Sequence, residues 1–213
     1  MRRKLFATYT GWIILVNVVA FIGFLILLNY IGEEAGVALV ALKPATVLGG
    51  KSLWTFLTSM FMHASLTHLF VNMISLMFIG SFVERLIGKK RFLWLYFGGG
   101  LFAGLFFVLI AYLTGGDLNI FAVGASGAIF ALGGLLAVLT PRLPVLVFFI
   151  IPMPMWMAMI FLMVVLWILT ISVGIPIGNT AHLGGLLIGL GYGFYLRKKY
   201  PRKTQMISRY FTR

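Results

Sequence analysis

The sequence predicts an all-α membrane protein, a bundle of six transmembrane helices that takes up residues 1–213 as a single domain. Composition and the spacing of apolar runs both support this fold class. Hydrophobic residues make up 62% of the chain and charged residues only 10%, whereas soluble domains carry about 25% charged residues. Because so few charges cannot cover a globule with a wettable surface, we expect most of the chain to lie in a bilayer.

Six apolar runs are the predicted membrane-crossing helices, because a helix needs about 20 apolar residues to cross a bilayer. The first follows a basic N-terminus, as in a signal peptide. It is too long for one and has no evident cleavage site, so we expect it to be retained. The fourth is short unless it begins before Ser126. The runs are roughly Gly11–Tyr30, Leu66–Val83, Phe92–Leu113, Ser126–Leu139, Val145–Ile171 and Ala181–Leu196. Residues 32–65, between the first two, are apolar but too broken to span, which predicts a segment lying in the outer interface.

The distribution of positive charge predicts the orientation of the bundle. All of the 17 Lys and Arg residues except Lys43 and Lys51 fall on one side if the chain crosses six times. The positive-inside rule then places the short basic N-terminus and the basic tail in the cytoplasm. We expect the tail to contact anionic headgroups of membrane lipids. Since the net charge of +13 resides in chain ends and loops, nucleic acid is not the expected partner.

Four polar side chains fall near the outer ends of predicted helices, at similar depth. Ser126 begins the fourth helix and His182 begins the sixth, while His68 and Asn72 lie in the first turns of the second. Ionisable groups inside a membrane are costly and usually functional, although any one of these alone is explained by an interhelical hydrogen bond. Their common depth favours one site over four unrelated contacts.

The spacing of small residues predicts how Ser126 and His182 meet. The sixth helix carries a stripe of small residues below its histidine, formed by His182, Gly185, Gly189 and Gly193. Such a stripe lets a neighbouring backbone come very close. The corresponding stripe of the fourth helix is Ser126, Phe130, Gly133 and Ala137. If the two stripes pack together, the Ser126 hydroxyl and the His182 ring lie within hydrogen-bonding range.

This juxtaposition predicts nucleophilic catalysis. A serine hydroxyl needs an adjacent base, and neutral His182 can take the proton of Ser126 and pass it to a leaving amine. The free backbone N–H groups at Ser126, together with Asn72 and His68, are the candidate donors to an oxyanion. No acid is well placed to orient His182, because Asp117 belongs to a loop. We therefore predict a dyad.

Other catalytic classes lack their residues. The chain has no cysteine, which excludes a thiol nucleophile and a cysteine-ligated metal. It has no H-E-x-x-H motif, and His63 and His68 are five apart, a poor spacing for one helical face, so no metal is expected. Ala128 stands where the soluble hydrolase motif G-x-S-x-G requires its last glycine. The apolar runs hold no pair of carboxylates for an aspartyl intramembrane protease.

These residues resemble the motifs of the rhomboid family of intramembrane serine proteases. The segments GASGAIFAL, AHLGGLLIG and FMHASLTHLFVNM are similar to the family's G-x-S-G, A-H-x-x-G and H-x-x-x-N patterns, in order and spacing over essentially the whole chain. The resemblance implies that Ser126 is the nucleophile, His182 the base, and His68 and Asn72 the oxyanion partners. The expected packing glycines are Gly124, Gly127, Gly185 and Gly189.

The resemblance also implies a bundle of rhomboid type, a water-filled active site below the outer surface, and no cofactor. The implied substrates are single-span membrane proteins cut near helix-destabilising residues. With no seventh helix in this sequence, the minimal prokaryotic form in a cell membrane is expected. Two positions depart from the family pattern: Trp54-Thr55 replaces a common Trp-Arg pair, and Phe130 replaces a tyrosine that often stacks on the catalytic histidine.

We therefore expect an intramembrane serine endopeptidase, and two alternatives remain open: a transporter or channel, and a non-catalytic protein that binds membrane helices. For substrate access, the fifth helix is the candidate gate. It contains Pro152, Pro154 and the methionine-rich MPMWMAM, features typical of a kinked, adaptable helix, and Trp167 lies near its outer end. Ordinary packing against lipid is the alternative for this helix.

Overall fold

The computed structural model describes residues 8–148, 150–173 and 178–211. Arg2, Arg3 and Lys4 lie outside the described residues, so the cytoplasmic position of the basic N-terminus stays a prediction. The elements in chain order are α1 (Tyr9–Ile31), α2 (Glu33–Val40), α3 (Pro44–Leu48), α4 (Thr55–Thr58), α5 (Leu66–Ser75), a π-helical turn (Leu76–Gly80), α6 (Ser81–Ile87), α7 (Lys89–Thr114), α8 (Ser126–Leu139), β1 (Pro144–Val147), β2 (Ile151–Pro154), α9 (Met155–Val173), α10 (Asn179–Lys199) and α11 (Pro201–Tyr210).

The predicted class of helical membrane protein is confirmed. Four of the described helical segments are long and apolar enough to cross a membrane: Tyr9–Ile31, Leu66–Ile87, Lys89–Thr114 and Met155–Ser172. The second of these joins α5, the π-helical turn and α6 into one continuous segment. Helix α8 has only 14 residues, and α10 is longer but diluted by glycine and polar residues. That these two also cross the membrane stays a prediction.

The predicted fifth helix is wrong in its first part. Residues expected to be helical from Val145 onward form an antiparallel hairpin of β1 and β2, in which Pro144 pairs with Pro154 and Val147 with Ile151. Helix α9 begins only at Met155. A proline removes a backbone donor and clashes with the preceding helical turn, so Pro152 and Pro154 end up in the strand before the helix. They do not kink α9.

Helix α8 lies at the centre of the bundle. Twelve of its 14 residues are buried, and it packs against α7, α9 and α10. Helix α1, by contrast, exposes a row of large apolar side chains such as Trp12, Val19 and Ile22, as expected for a face turned to lipid. The short α8 is therefore enclosed by protein on nearly all sides, and its length does not have to match the bilayer by itself.

The contact between α8 and α10 is a backbone-to-backbone contact, as the glycine stripe of α10 predicts. A Cβ at Gly185 would overlap the Gly127 carbonyl oxygen, and one at Gly189 would overlap the Ala131 carbonyl oxygen. The predicted partner face of α8 is only partly right. A Cβ at Gly133 would lie 2.5 Å from the Met159 sulfur of α9, so Gly133 faces α9. Because 3.6 residues make a turn, the face toward α10 instead contains Gly127, Ala131 and Gly134.

The long first loop folds as the three short helices α2, α3 and α4 and is tied to the chain just before α8. Leu42 and Ala122 form an isolated antiparallel bridge, with backbone N–O distances of 3.1 and 2.8 Å. Farther along the loop, the Ser59 carbonyl accepts a hydrogen bond from the Gly124 N–H at 2.8 Å. These contacts place the start of α8 against the loop.

At the end of the bundle opposite Ser126, α6 caps the start of α1. The buried Glu84 carboxylate accepts hydrogen bonds from the backbone N–H of Tyr9 (3.1 Å), the backbone N–H of Thr10 (2.9 Å) and the Thr10 hydroxyl (2.8 Å). These two backbone N–H groups belong to the first turn of α1, where N–H groups have no acceptor within their own helix. A carboxylate also stabilises the positive end of a helix dipole, which explains a buried acid in so apolar a protein.

Candidate active site

Ser126 is the first residue of α8, and Gly124 shapes the chain that leads into it. Gly124 has φ of +116°, a region that residues with side chains rarely adopt. A Cβ at this position would also lie 2.8 Å from the His68 ring and 3.7 Å from Ser126 Oγ. Both the turn and the close approach of His68 therefore require glycine, a more specific role than the packing predicted for it.

Ser126 and His182 meet across the α8–α10 contact. Ser126 Oγ lies 2.7 Å from His182 Nε2, a hydrogen-bonding distance. The His182 ring is buried and stacks on Phe130, with ring centroids 4.6 Å apart and planes inclined by 16°. Phe130 thus stacks on the histidine as the family's tyrosine does, but it brings no hydroxyl. The close approach at Gly185 and Gly189 sets the separation of the two helices and hence the Ser126–His182 distance.

The second nitrogen of His182 has no partner among the described residues. Nδ1 is buried and makes no hydrogen bond within residues 8–148, 150–173 and 178–211. Asp117 is exposed and accepts a hydrogen bond from the Asn119 N–H in its own turn, at 2.8 Å. With the proton on Nδ1, Nε2 is the lone-pair nitrogen that accepts from the Ser126 hydroxyl. The site therefore contains both residues of the predicted dyad, and no carboxylate of the described residues accepts a hydrogen bond from His182 Nδ1.

His68 and Asn72 differ in their placement relative to Ser126. Ser65 caps α5 by accepting the His68 N–H at 3.1 Å, and the His68 ring lies against Gly124, next to Ser126. Asn72 is buried, and its Nδ2 donates to the His68 carbonyl of the same helix at 2.9 Å. An amide nitrogen has two donors, so one remains. The structure therefore brings His68 to the serine, whereas direct donation by Asn72 to a reacting group stays a prediction.

The first turn of α8 supplies further donors. No side chain caps this helix among the described residues, and its first α-helical bond runs from the Ile129 N–H to the Ala125 carbonyl. The N–H groups before Ile129 have no partner within the helix. They lie beside Ser126 Oγ at the positive end of the helix dipole. This is the geometry that stabilises a negative oxygen.

His63, for which no function is expected from the sequence, is buried beside His68. It lies in the loop before α5, only 1% exposed, with its ring edge-on to His68 at a centroid distance of 5.0 Å. Burial, with a smaller contribution from the charge of His68, lowers the pKa of His63 to about 4. His63 is therefore neutral at physiological pH and does not repel a proton on His68.

Thr55 stands at the position where the resemblance leads one to expect an arginine. Its side chain is buried, and its hydroxyl donates to the Ser52 carbonyl at 2.6 Å. The neighbouring Trp54 indole donates to the Leu39 carbonyl at 2.8 Å, and Thr58 donates to the Val40 carbonyl at 2.9 Å. Through Trp54 and Thr58, α4 is fixed to the end of α2 by side-chain donors, and no arginine is needed for that contact.

The candidate gate residue Trp167 lies on α9 and is 40% exposed. A polar contact next to Trp167 was not expected from the sequence. Buried Asn179, at the start of α10, donates from Nδ2 to the Thr170 hydroxyl at 2.8 Å and to the Leu166 carbonyl at 3.3 Å. Asn179 stands three residues before His182, so the outer part of α9 is hydrogen-bonded to the helix that carries the candidate base.

The described residues do not assemble a metal site. No group of three or more His, Cys, Asp or Glu side chains within them has the geometry to hold an ion.

Comparison with known proteins gives one consistent family. Residues 50–199 match the family model described as the rhomboid domain. RHOMBOID-like protein 1 of Arabidopsis thaliana is 33% identical over 168 residues, which cover 75% of this chain and 39% of that protein. The mitochondrial Rhomboid protein 1 of Saccharomyces cerevisiae is 31% identical over 161 residues, covering 72% and 46%.

The putative rhomboid protease YdcA of Bacillus subtilis is 40% identical over 81 residues, covering 38% of each chain. The present chain thus spans less than half the length of these relatives. A further relative from Arabidopsis thaliana is named an inactive RHOMBOID-like protein. Family membership therefore does not by itself establish catalysis, which depends on the side chains of the site.

Proposed function

We propose that this chain, which belongs to the rhomboid family, is an intramembrane serine endopeptidase that uses Ser126 and His182. The observation that supports this best is the 2.7 Å separation of Ser126 Oγ and His182 Nε2. It occurs at a helix N-terminus whose backbone donors are free, and a nucleophile, a base and oxyanion donors are the three parts that acyl transfer requires.

In the proposed reaction, His182 Nε2 takes the hydroxyl proton while Ser126 Oγ attacks the carbonyl carbon of the scissile peptide bond. The electron pair of the carbonyl moves to its oxygen, which the N–H groups at the start of α8 stabilise with His68 and Asn72. Collapse of this intermediate breaks the C–N bond, and His182 gives its proton to the departing amine. Water then repeats the sequence on the Ser126 ester, which releases the acid and restores the serine.

The proposed substrates are single-span membrane proteins cleaved near the outer surface. A helix in lipid has every backbone group paired internally, so the substrate must unwind locally before its carbonyl reaches Ser126. This requirement favours substrates with helix-destabilising residues near the cut. The proposed orientation has both termini in the cytoplasm, because the described basic residues other than Lys43 and Lys51 belong to the end of the bundle opposite Ser126. The proposed location is a prokaryotic cell membrane. The proposed mechanism uses no cofactor.

A non-catalytic protein that binds membrane helices is the second candidate, since one relative is named inactive. Such a protein needs the bundle but neither a serine nucleophile nor a base. The presence of Ser126 and His182 at hydrogen-bonding distance favours the enzyme. A transporter has no requirement for this pair either.

Proteoliposomes containing the purified chain and a single-span reporter protein test the proposal. Ser126→Ala and His182→Ala should each abolish cleavage, and Ser126→Ala should abolish labelling by a serine-directed phosphonate. Ser75→Ala is the matched control, because Ser75 is a half-buried helical serine of the same bundle. It should cleave and label normally. Cleavage retained by Ser126→Ala, with the protein folded, would end the serine-protease interpretation.

A further inference from the structure

We propose that the cleft between α6 and α11 binds one anionic phospholipid, with an acyl chain in the cleft and the phosphate against the basic side chains at its rim. The cleft lies at the end of the bundle opposite Ser126. Helix α11 follows residue 199, where the match to the rhomboid domain ends. One side of the cleft, α11, therefore lies beyond the residues matched by the family model, while α6 lies within them. The proposal does not depend on peptidase activity.

The cleft is an open apolar cavity of about 650 Å³. Phe82 and Leu86 of α6 line one side, and Ile207 and Phe211 line the other. Phe82 and Phe211 meet edge-on, with ring centroids 5.8 Å apart, so the cleft has an aromatic contact joining its two sides. The apolar lining of this cavity favours a hydrocarbon chain.

Helix α11 turns its apolar side to the cleft and its polar side away. Met206 and Tyr210 border the cleft but are 69% and 78% exposed, which is unfavourable in water and suited to acyl chains. Lys203 precedes these two residues by three and seven positions, so it shares their face. Gln205, by contrast, lies 100° or more around the helix from Met206 and Tyr210. An amphipathic helix with basic residues lies in the plane of the membrane interface, its apolar face in the acyl region.

Within the described residues, no Asp or Glu side chain is paired with Arg85 or Lys203. The chain has four acidic residues, and three of them, Glu33, Glu34 and Asp117, belong to the loops near the other end of the bundle. The fourth, Glu84, directs both carboxylate oxygens at the start of α1, where they accept three hydrogen bonds. A bound anion would therefore supply Arg85 and Lys203 with a counter-charge.

Arg85 is held where it can receive such an anion. Its Nε donates to the Ser81 carbonyl of its own helix at 3.0 Å, which restrains the side chain along the cleft that it lines. Its two terminal nitrogens, Nη1 and Nη2, make no hydrogen bond within the residues that the structure describes. A planar guanidinium matches the geometry of a phosphate. The combination of a restrained cation and an apolar cleft matches one ligand that has both an anionic head and a hydrocarbon chain.

The test measures lipid retained by the full chain in mixed bilayers of phosphatidylcholine and phosphatidylglycerol. After extraction in mild detergent, native mass spectrometry counts the lipids bound to each protein. We expect one phosphatidylglycerol to be retained in preference to phosphatidylcholine. The double variant Arg85→Gln/Lys203→Gln should lose this retention, with a fall in apparent affinity of about 30-fold for two basic contacts.

The matched control is Lys90→Gln/Lys198→Gln, which removes the same charge from exposed positions on α7 and α10 that do not line the cleft. It should retain the lipid. A second variant, Leu86→Trp, fills the cleft without changing charge and should also weaken retention; thermal unfolding checks that each variant is folded. Equal losses in the two charge variants would indicate diffuse attraction and refute a site. Equal retention of both lipids, unchanged retention in the cleft variants, or displacement by millimolar inorganic phosphate would each overturn the proposal as well.

Discussion

Replacing Gly185 with valine should inactivate the protein while leaving Ser126 and His182 chemically intact. A Cβ at Gly185 would overlap the Gly127 carbonyl oxygen and lie 3.0 Å from its carbon, whereas ordinary contact begins at 3.4 Å. The obstacle is backbone and cannot rotate away, so α8 and α10 must separate by about an ångström. Overpacking of this kind costs about 1–3 kcal/mol of folding free energy, and a 1 Å displacement of reacting groups lowers rates by about 100-fold.

The assay is cleavage of a single-span reporter in proteoliposomes, normalised to the folded fraction from thermal unfolding. Gly185→Ala should already impair cleavage, because the Cβ alone makes the overlap. Gly191 is the matched control: it is a glycine of the same helix, and a Cβ there meets nothing within 4 Å. Gly191→Val should retain near-normal cleavage. Equal and near-normal activity in Gly185→Val and Gly191→Val would refute the inference that backbone contact sets the Ser126–His182 distance.

Three further outcomes are expected. Asn72→Ala should lower kcat by about 10²–10³-fold with little change in KM if its second amide hydrogen reaches the oxyanion; parallel losses of activity and stability would indicate a structural residue instead. Thr170→Val removes the hydroxyl that accepts a hydrogen bond from Asn179 and so loosens α9 from α10. If α9 is the gate, kcat/KM should rise for a membrane-embedded substrate and not for a small soluble ester. Unchanged values for both substrates would argue against α9 as the gate. Glu84→Gln should lower the free energy of unfolding by about 1.5–3 kcal/mol at unchanged activity per folded molecule, and an unchanged thermal midpoint would show that the capping of α1 contributes little.

Helix α8 illustrates how much of the fold follows from sequence. Its bounds, Ser126–Leu139, are those predicted, because a run of small and apolar residues starts at the serine motif and ends before Pro141 and Arg142. The small-residue stripe of α10 likewise predicted a backbone contact, since glycine spacing is a local property that survives folding. The rotation of α8 within that contact was not predictable, and Gly133 faces Met159 of α9.

Other features depend on partners that are remote in sequence. Apolar composition did not reveal the hairpin at residues 144–154, because Val, Leu and Ile suit a buried strand and a membrane helix alike. The capping of α1 by Glu84 joins residues more than 70 positions apart, so no local sequence pattern predicts it. At the site, the shared depth of Ser126, His182 and His68 was predictable from topology. The contacts of Asn179 and Thr55 were not, because each depends on the exact register of its neighbour.

The burial of α8 has a consequence for the way the protein meets bilayers of different thickness. A 14-residue helix is about 21 Å long, some 9 Å shorter than a typical hydrocarbon core of about 30 Å. A helix this short in contact with lipid would thin the membrane around it. Longer helices enclose α8, so the mismatch is absorbed by protein. Ser126 can then lie below the surface of a bilayer whose thickness is set by the outer helices alone.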